Sequence, residues 1–305
     1  SALMDKIITI SEHSKNVYQN TVYEAVNQQT GEKAEFRTNT PIEVVHYPVK
    51  NLNTQELNID LDYDFNFLTV AQFGPRKNMI NTVNWFLQEF RDDEVGLILK
   101  TNIANCSTTD SINTQAKLAT ILSNYPGAKC KVYLLHGDLT LAQMNSLYIN
   151  PKVKAYVTHT HGEGFGIPIF EAAYHGVPVI APAWSGQNDF LHAHIKSGKR
   201  KKAKLRALFS KVEYTIGQVP PEAVWEGVIQ PDAGWCYPTQ QSAKKTMRDV
   251  YENYSKHTKI AKQLQKHLLE NFTEQKQHSK FADTVYAQNQ DDWLSEIANI
   301  IKEYE

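Results

Sequence analysis

The fold of this chain is decided by one stretch, His161-Gly162-Glu163-Gly164-Phe165-Gly166-Ile167-Pro168-Ile169-Phe170-Glu171. It follows residues 154–158, whose β-branched and aromatic side chains are typical of a short buried strand. Pro168 suits the first position of a helix, where its missing N–H costs nothing. The stretch therefore predicts a strand, a glycine-rich loop and a helix, with the loop at the carboxyl edge of a parallel sheet.

The glycine-rich loop has the chemistry of a ligand-facing segment. Its glycines let the backbone approach a ligand closely, and the helix that follows offers free N–H groups with partial positive charge, which suits phosphate. We expect the helix to run from Pro168 to His175 and to stop at Gly176 with a left-handed cap. Glu171, placed in its first turn, either complements the helix dipole or contacts a ligand. A second carboxylate in the same loop, Glu163, favours the ligand role.

These residues resemble a known family. Glu163, the Gly-Phe-Gly run, Glu171 and the following Ala-Tyr-His-Gly-Val-Pro-Val-Ile-Ala are similar to the two-glutamate signature of retaining glycosyltransferases of the GT-B fold, family 4 in particular. The resemblance implies an α/β fold, a Rossmann-like doubly wound parallel sheet that forms the carboxyl-terminal half of a GT-B enzyme. It also implies a hexosyltransferase-type activity that uses a nucleotide-diphosphate sugar, UDP-linked or GDP-linked, as the donor and needs no other cofactor.

The resemblance assigns roles to the residues of the loop. Glu171 would hold the ribose hydroxyls of the donor, and Glu163 would hold hydroxyls of the transferred sugar. The backbone of Gly164, Phe165 and Gly166 would contact the phosphates and the sugar. The family also has a loop near the nucleotide base, and the donor-binding residues His136 and Gly137 match it; a histidine hydrogen-bonded to backbone at a turn is the alternative for His136.

The cations that the donor diphosphate needs are expected after the first strand of this domain, in Gln72-Phe73-Gly74-Pro75-Arg76-Lys77-Asn78. Lys77 suits the diphosphate as a point charge and Arg76 as a bidentate fork. A solvated pair at a helix start is the alternative. Family members carry a Gly-Arg pair five residues before the lysine, and here that arginine is replaced by Gln72. Either Arg76 supplies the second charge or diphosphate binding is weakened; Gln72 and Gly74 remain donor-binding candidates.

Composition excludes several classes. The chain has 305 residues, 41% of them hydrophobic, and a net charge of −1, which describes a globular protein and argues against nucleic acid as a partner. Its three cysteines are widely spaced and fit neither a disulfide framework nor a zinc cluster, which favours a reducing, cytoplasmic compartment. No apolar run approaches the roughly 20 residues of a membrane span. We expect no metal: the alternating aspartates Asp60, Asp62 and Asp64 lack the glycine and glutamate of a calcium loop.

The pattern divides the chain into three parts. Residues 1–64 contain a strand, a serine-capped helix predicted to reach about Asn27 and a second strand at 42–49, which the resemblance identifies as a remnant of an amino-terminal domain with its linker. Residues 65–285 alternate strands and helices and form the nucleotide-sugar-binding domain. Residues 286–305 form an amphipathic terminal helix from about Asp291, with Leu294, Ile297 and Ile300 in one apolar stripe.

This division leads us to expect that the chain alone does not transfer sugar, because a GT-B site lies between two domains. The expected partners are a nucleotide sugar, an acceptor that is a glycan, lipid or protein, and a missing amino-terminal domain or another copy of the chain. Two alternatives stay open: a non-catalytic domain that binds nucleotide or nucleotide sugar, and a module that docks polyanions through the basic run Lys196 to Arg206. That run is either a solvated loop or a contact with phosphate-bearing acceptors or a membrane surface.

Overall fold

The computed structural model describes residues 4–27, 29–196 and 203–286. By its contacts the chain divides into two compact units, one made of residues 1–50 and 269–305 and the other of residues 51–268. The sequence-based division into 1–64, 65–285 and 286–305 remains a proposal about domains. The amphipathic helix predicted from Asp291 lies outside the described residues.

The first unit begins with strand β1 (Ile7–Thr9), helix α1 (Glu12–Asn20) and strand β2 (Tyr23–Val26), followed by strands β3 (Lys33–Phe36) and β4 (Ile42–Val44). β1 pairs with β4 in parallel, and β2 pairs with β3 as an antiparallel hairpin. The side chain of Ser11 caps α1 by accepting a hydrogen bond from the backbone N–H of Ser14.

The prediction that the first helix extends to Asn27 is wrong. The helix ends at Asn20, and the next residues enter the β2–β3 hairpin. Val22 and Tyr23 are β-branched and aromatic and favour an extended backbone. Because every residue of both hairpin strands is exposed, no pattern of buried side chains marked the hairpin in the sequence.

The second unit contains a six-stranded sheet whose neighbouring strands are all parallel. The α/β class with a doubly wound parallel sheet, predicted from the sequence, is therefore confirmed. The strand order is β12-β9-β8-β5-β6-β7. These strands are β5 (Asn66–Val70), β6 (Gly96–Lys100), β7 (Lys131–Leu135), β8 (Val153–Val157), β9 (Val179–Pro182) and β12 (Ser210–Val212).

The first four helices of this unit follow the alternation of strands and helices that the sequence predicts. In chain order, the helices are α2 (Met79–Glu89), α3 (Thr108–Leu122), α4 (Leu141–Ile149), α5 (Ile167–Tyr174), α6 (Asn188–Leu191) and α7 (Gln240–Glu252). α8 (Tyr254–Asn271) runs across the boundary between the units, and α9 (Glu274–Tyr286) belongs to the first. Thr140 and Gln143 form the capping box that the sequence indicates at the start of α4.

The strand order places a topological switch point between β5 and β8. From β5 the chain steps outward to β6 and β7, whereas from β8 it steps the other way to β9. With right-handed crossovers, α2 and α3 cover one face of the sheet and α4 and α5 the other. Open α/β sheets bind ligands at such a point, outside the carboxyl ends of the strands. The loops that follow β5 and β8 are therefore the place for a site.

Two antiparallel hairpins follow β9. β10 (His192–Ile195) pairs with β11 (Lys204–Ala207), and this hairpin carries the described ends of the basic run; residues 197–202 lie outside the described part. β13 (Tyr214–Gln218) pairs with β14 (Gly234–Pro238). Fifteen residues, 219–233, connect β13 and β14. Because this connection is long, the sequence has no tight-turn motif that would predict the hairpin.

The sequence analysis expects neither a metal site nor a membrane-spanning helix. Among the described residues no group of three or more His, Cys, Asp or Glu side chains is arranged to hold a metal ion. Asp62, from the alternating aspartates, accepts a hydrogen bond from the Tyr133 hydroxyl at 2.9 Å and pairs with Lys131 at 2.8 Å. No helix in the described ranges combines the length and the apolarity needed to cross a bilayer.

We predict that Gly96→Ala destabilises the second unit by about 1 to 3 kcal/mol, the usual cost of overpacking a core. A Cβ atom at this position would lie 1.8 Å from Oδ1 of Asn66 and 2.7 Å from the ring of Tyr133. Gly74→Ala is the matched control, since a Cβ atom there meets nothing within 4 Å. Urea unfolding measures both variants, and equal midpoints for the two would contradict the packing.

Candidate functional site

The carboxylate of Glu163 lies at the centre of the loops that follow β5 and β8. The Lys77 ammonium donates to Oε1 at 2.6 Å, and the Arg76 guanidinium donates to Oε2 at 3.2 Å. The hydroxyl of Thr160 lies 3.0 Å from Oε1. The Glu163 and Lys77 side chains are only 10% and 16% exposed, so this pair occupies a largely dry position, while Arg76 approaches it from the more exposed side. The cluster keeps a net positive charge.

Backbone hydrogen bonds fix the two loops against each other. The N–H of His161 donates to the carbonyl of Arg76 at 2.8 Å, and the Arg76 guanidinium donates back to the carbonyl of Gly162. Asn78 adopts a left-handed backbone with φ of 54° and donates its side-chain amide to the carbonyl of His159 at 3.0 Å. The two cations therefore stand on a turn that is braced by the loop carrying Glu163.

A third loop, after β9, holds Glu163 from the other side. The N–H of Glu163 donates to the Ser185 hydroxyl at 2.8 Å, and its carbonyl accepts from the N–H of Gly186 at 3.0 Å. The Ser185 hydroxyl donates to the fully buried Gln187 at 2.9 Å. Gly186 is required here, because a Cβ atom would lie 2.0 Å from the carbonyl oxygen of Gly164. These contacts give the Glu163 loop one conformation.

Lys77 lines a cavity of about 340 Å³ at the carboxyl edge of the sheet. Gln72, Lys77, Lys100, Asp138 and Pro168 are among the residues that line it. Lys100, at the end of β6, donates its ammonium to the carbonyl of Gly137, which turns at a φ of 97°. The amide of Gln72 donates to the carbonyl of Ile103 at 2.8 Å. The cavity thus has two ammonium groups and one carboxylate in its wall.

The helix beyond the glycine loop places Glu171 differently from the prediction. α5 begins at Ile167 after Gly166, which has a φ of 93°, so Glu171 is its fifth residue and lies beyond the first turn. The first-turn position expected for Glu171 is wrong because the helix starts one residue before Pro168. The Tyr148 hydroxyl donates to Oε2 of Glu171 at 3.0 Å. Burial raises the pKa of Tyr148 well above its ordinary value, which keeps that hydroxyl a donor.

Phe165 contributes its side chain to the core. It is 2% exposed, and its ring centroid lies 4.9 Å from that of Phe190 and 5.2 Å from that of Phe170. Gly166 provides the left-handed start of α5, and the carbonyl of Gly164 packs against Gly186. Any contact of the Gly164 to Gly166 segment with a ligand therefore comes from backbone atoms.

His136 is tied to the neighbouring loop through Asp110. Nε2 of His136 lies 2.8 Å from Oδ1 of Asp110, whose carboxylate also accepts from the backbone N–H groups of Ile103, Ala104 and Asn105. The hydrogen bond from His136, reinforced by these amides, holds the pKa of Asp110 below its usual value. The pair shapes the 102–105 loop beside the cavity. Sequence reasoning missed Lys100, Asp110 and Tyr148, which lie on regular elements without a motif.

A second cavity, of about 450 Å³, opens where the Gly74–Lys77 turn meets the start of α2. Gly74, expected in the donor site, lines this second cavity. Phe73, Trp235 and Tyr237 provide aromatic surface, and His161 lies at its edge toward the glycine loop. The N–H of Cys236 donates to the carbonyl of His161 at 2.9 Å, which attaches β14 to that loop.

We predict that His159 makes the protein less stable in acid. It is fully buried, and burial lowers its pKa from 6.5 to about 3. Between these two pKa values the unfolded chain binds a proton that the native side chain does not. The free energy of unfolding therefore decreases as the pH is lowered, by up to about 1.4 kcal/mol per pH unit. Burial lowers the pKa of His161 and His175 as well, so other histidines add to the slope.

The test compares urea unfolding from pH 7 to pH 4 for the parent, His159→Gln and His194→Gln. The first variant should show a shallower loss of stability toward low pH than the parent. His194 is exposed, and its replacement should leave the slope unchanged. An identical slope in all three proteins would contradict the prediction.

Solved structures share this fold. The chain superimposes on sucrose-phosphate synthase from Thermosynechococcus elongatus with a TM-score of 0.59 and 14% identity, covering 94% of this chain and 59% of that one. For HepE of Anabaena in complex with UDP and glucose, the TM-score is 0.59, the identity 14% and the coverage 93% and 63%. For a glycosyltransferase from Rickettsia africae, the TM-score is 0.58 and the identity 13%, and the match covers 93% of this chain and 63% of that one.

The chain thus spans about three fifths of the length of these proteins. No family model matches the chain, and no curated protein matches its sequence. At this level of identity the comparison shows the fold, which is that of GT-B glycosyltransferases, as the sequence predicts.

Proposed function

We propose that this chain is the donor-binding part of a glycosyltransferase that binds a nucleotide-diphosphate sugar and transfers the sugar with retention. One observation carries the proposal: a cavity at the switch point of the sheet has Lys77, held by Glu163, in its wall, beside the loop that begins α5. The HepE structure, which contains UDP and glucose, supports this substrate class through its shared fold.

Lys77 and Lys100 are the cations proposed for the diphosphate. Both line the cavity, and Lys100 supplies the second positive charge that the Gly-Arg pair of the resembled family would have given. Arg76 faces Gly162 and Glu163 instead and is 42% exposed. In the transfer step the bond between the sugar and the diphosphate breaks, and negative charge grows on the leaving group. Fixed cations in a low-dielectric site stabilise that charge best.

Glu163 is proposed to have two tasks. It orients Lys77 and Arg76 through its two oxygens, and it accepts a hydrogen bond from a hydroxyl of the transferred sugar. A carboxylate offers about four acceptor sites, so the ion pairs do not exhaust its capacity. The backbone of Gly164 to Gly166 then contacts phosphate and sugar, as the family resemblance implies.

Glu171 is proposed to hold the ribose of the nucleotide. The Tyr148 hydroxyl fixes one of its oxygens, which fits a side chain that must present itself to a ligand in one orientation. His136 and Gly137 stand at the end of β7, and the carbonyl of Gly137 already accepts from Lys100. We propose that this segment borders the base, while the His136 to Asp110 pair keeps the neighbouring loop in place.

The first prediction of this proposal concerns nucleotide binding. UDP or GDP, at a concentration a hundredfold above its dissociation constant, should stabilise the chain by about 2.7 kcal/mol. Thermal unfolding with a panel of nucleoside diphosphates measures the effect. If none of them raises the melting temperature at millimolar concentration, the proposal fails.

The second prediction separates nucleotide binding from transfer. Lys77→Ala, Lys100→Ala and Glu171→Gln should each weaken nucleotide affinity by about tenfold or more, because each removes a charged hydrogen-bond partner. Lys259→Ala and Glu252→Gln replace exposed residues of the same types and should leave affinity unchanged. Calorimetric titration with the nucleotide measures all five variants.

Glu163→Gln should retain most nucleotide affinity. In an enzyme reconstituted with an amino-terminal domain it should lose turnover of the donor, measured as release of nucleoside diphosphate with and without an acceptor panel. EDTA should change neither nucleotide affinity nor diphosphate release if Lys77 and Lys100 stabilise the diphosphate without a metal ion. Donor binding without release of diphosphate under any condition would favour the non-catalytic nucleotide-binding alternative. The same assay tests whether this chain alone lacks transfer activity.

A further inference from the structure

The second cavity lies at the same sheet edge as the proposed donor cavity, on the other side of the Gly74–Lys77 turn. Its volume of about 450 Å³ falls within the range of about 300 to 1,000 Å³ that small-molecule sites occupy. One wall is the start of α2, including Asn78 and Asn81, and the facing wall is β14 with Trp235 and Tyr237. All of these residues belong to the second unit.

The lining combines aromatic surface with a balanced set of polar groups. Phe73, Trp235 and Tyr237 provide the aromatic surface, while Asn81, Glu222 and Lys117 provide donors and acceptors. The ammonium of Lys117 lies 4.7 Å from the centroid of the Phe73 ring, and one glutamate balances its charge. A phosphate would call for an excess of cations. A neutral polyol suits this wall, because its C–H face packs on aromatic rings while its hydroxyls hydrogen-bond to amide, carboxylate and ammonium groups.

His161, which lines this cavity, has a fixed tautomer. Its Nδ1 lies 2.6 Å from the carbonyl oxygen of Cys236, and since a carbonyl only accepts, Nδ1 carries the proton. The neutral ring therefore presents Nε2 as an acceptor, and burial lowers the pKa of His161, which favours the neutral form. Trp235 stacks on the ring with centroids 5.1 Å apart and planes inclined by 13°, so the ring cannot turn freely.

We propose that this second cavity binds a neutral saccharide ring, and that the ring belongs to the acceptor of the transfer reaction. The word acceptor rests on the proposed function; the saccharide site itself does not. Two features place it on the acceptor side: His161 is two residues from Glu163, and the Gly74–Lys77 turn separates the second cavity from the one that contains Lys77 and Lys100. The acceptor class is thereby a glycan or a glycosylated molecule.

The experiment observes Trp235 directly. The protein is labelled with 5-fluorotryptophan, the Trp235 resonance is assigned with Trp235→Phe, and fluorine spectra are recorded during titration with neutral saccharides. The probes are the methyl glycosides of glucose, galactose and N-acetylglucosamine and the disaccharides maltose, cellobiose and lactose. At least one probe should shift the Trp235 resonance in a saturable manner, and Trp225, which is 66% exposed, serves as the internal control. The proposal is overturned if no probe shifts Trp235.

Variants of exposed lining residues test the polar contacts without disturbing the core. Asn81→Ala and Glu222→Gln should weaken the saccharide affinity about tenfold, the effect of losing one hydrogen bond to a well-placed partner. Glu226→Gln, in the same connection but outside the lining, is the matched control. Unchanged saccharide affinity in both lining variants would show that the sugar binds elsewhere.

Adding UDP separates this proposal from the proposed function. If UDP binds and leaves the saccharide shift of Trp235 intact, both stand. If no nucleoside diphosphate binds while the saccharide still shifts Trp235, the transferase proposal fails and the saccharide site remains. If UDP abolishes the shift by competition, the sugar occupies the donor cavity, and the proposal of a separate acceptor site is wrong.

Discussion

The ion pair between Glu163 and Lys77 is the interaction on which the arrangement of the sheet edge depends. Its two atoms lie 2.6 Å apart, and the side chains are 10% and 16% exposed. Removing one partner of such a buried pair typically costs about 3 to 5 kcal/mol, because the other charge is left without compensation. The Arg76 contact is longer and 42% exposed on the arginine side, and exposed pairs contribute about 0 to 1 kcal/mol. Lys77 is therefore the partner that fixes the Glu163 loop.

Burial of this pair also creates a charge that a ligand can use. Burial is the largest influence on the Lys77 pKa and lowers it, whereas the Glu163 carboxylate acts in the opposite direction and Arg76 lowers it further. An ammonium in this environment gains from any additional negative group that approaches it. The cluster has two cations for one carboxylate, so Glu163 does not neutralise both charges, and Lys77 is the one of these two cations that lines the cavity. That is a consequence of residues 76, 77 and 163 alone and precedes any assignment of function.

The sequence indicated much of this edge, and the limits of that inference have physical causes. Glycines, a helix-start proline and alternating strand patterns are local signals, and they located the loops after β5 and β8 correctly. Lys100 went unnoticed because it ends the buried strand β6 and resembles any solvated strand terminus until Gly137 and Lys77 are seen beside it. Gly74, a donor-binding candidate from the sequence, lines the second cavity, since spacing along a loop does not say which side of a turn a residue faces. The exposed hairpin β2–β3 lacked the buried face that patterns report.

The late hairpin β13–β14 shows how an irregular insertion acquires a defined place. Two hydrogen bonds attach it to the glycine loop: the carbonyl of His161 accepts from the N–H of Cys236, and the His161 side chain donates to the carbonyl of the same cysteine. Because the backbone and the side chain of His161 both bond to the backbone of Cys236, they fix the distance of β14 from the glycine loop and also its orientation. Because His161 also donates its backbone N–H to Arg76, the position of β14 is linked through a single residue to the turn that carries the cations. A change in the Gly74–Lys77 turn therefore acts on the walls of both cavities, through hydrogen bonds of fixed direction.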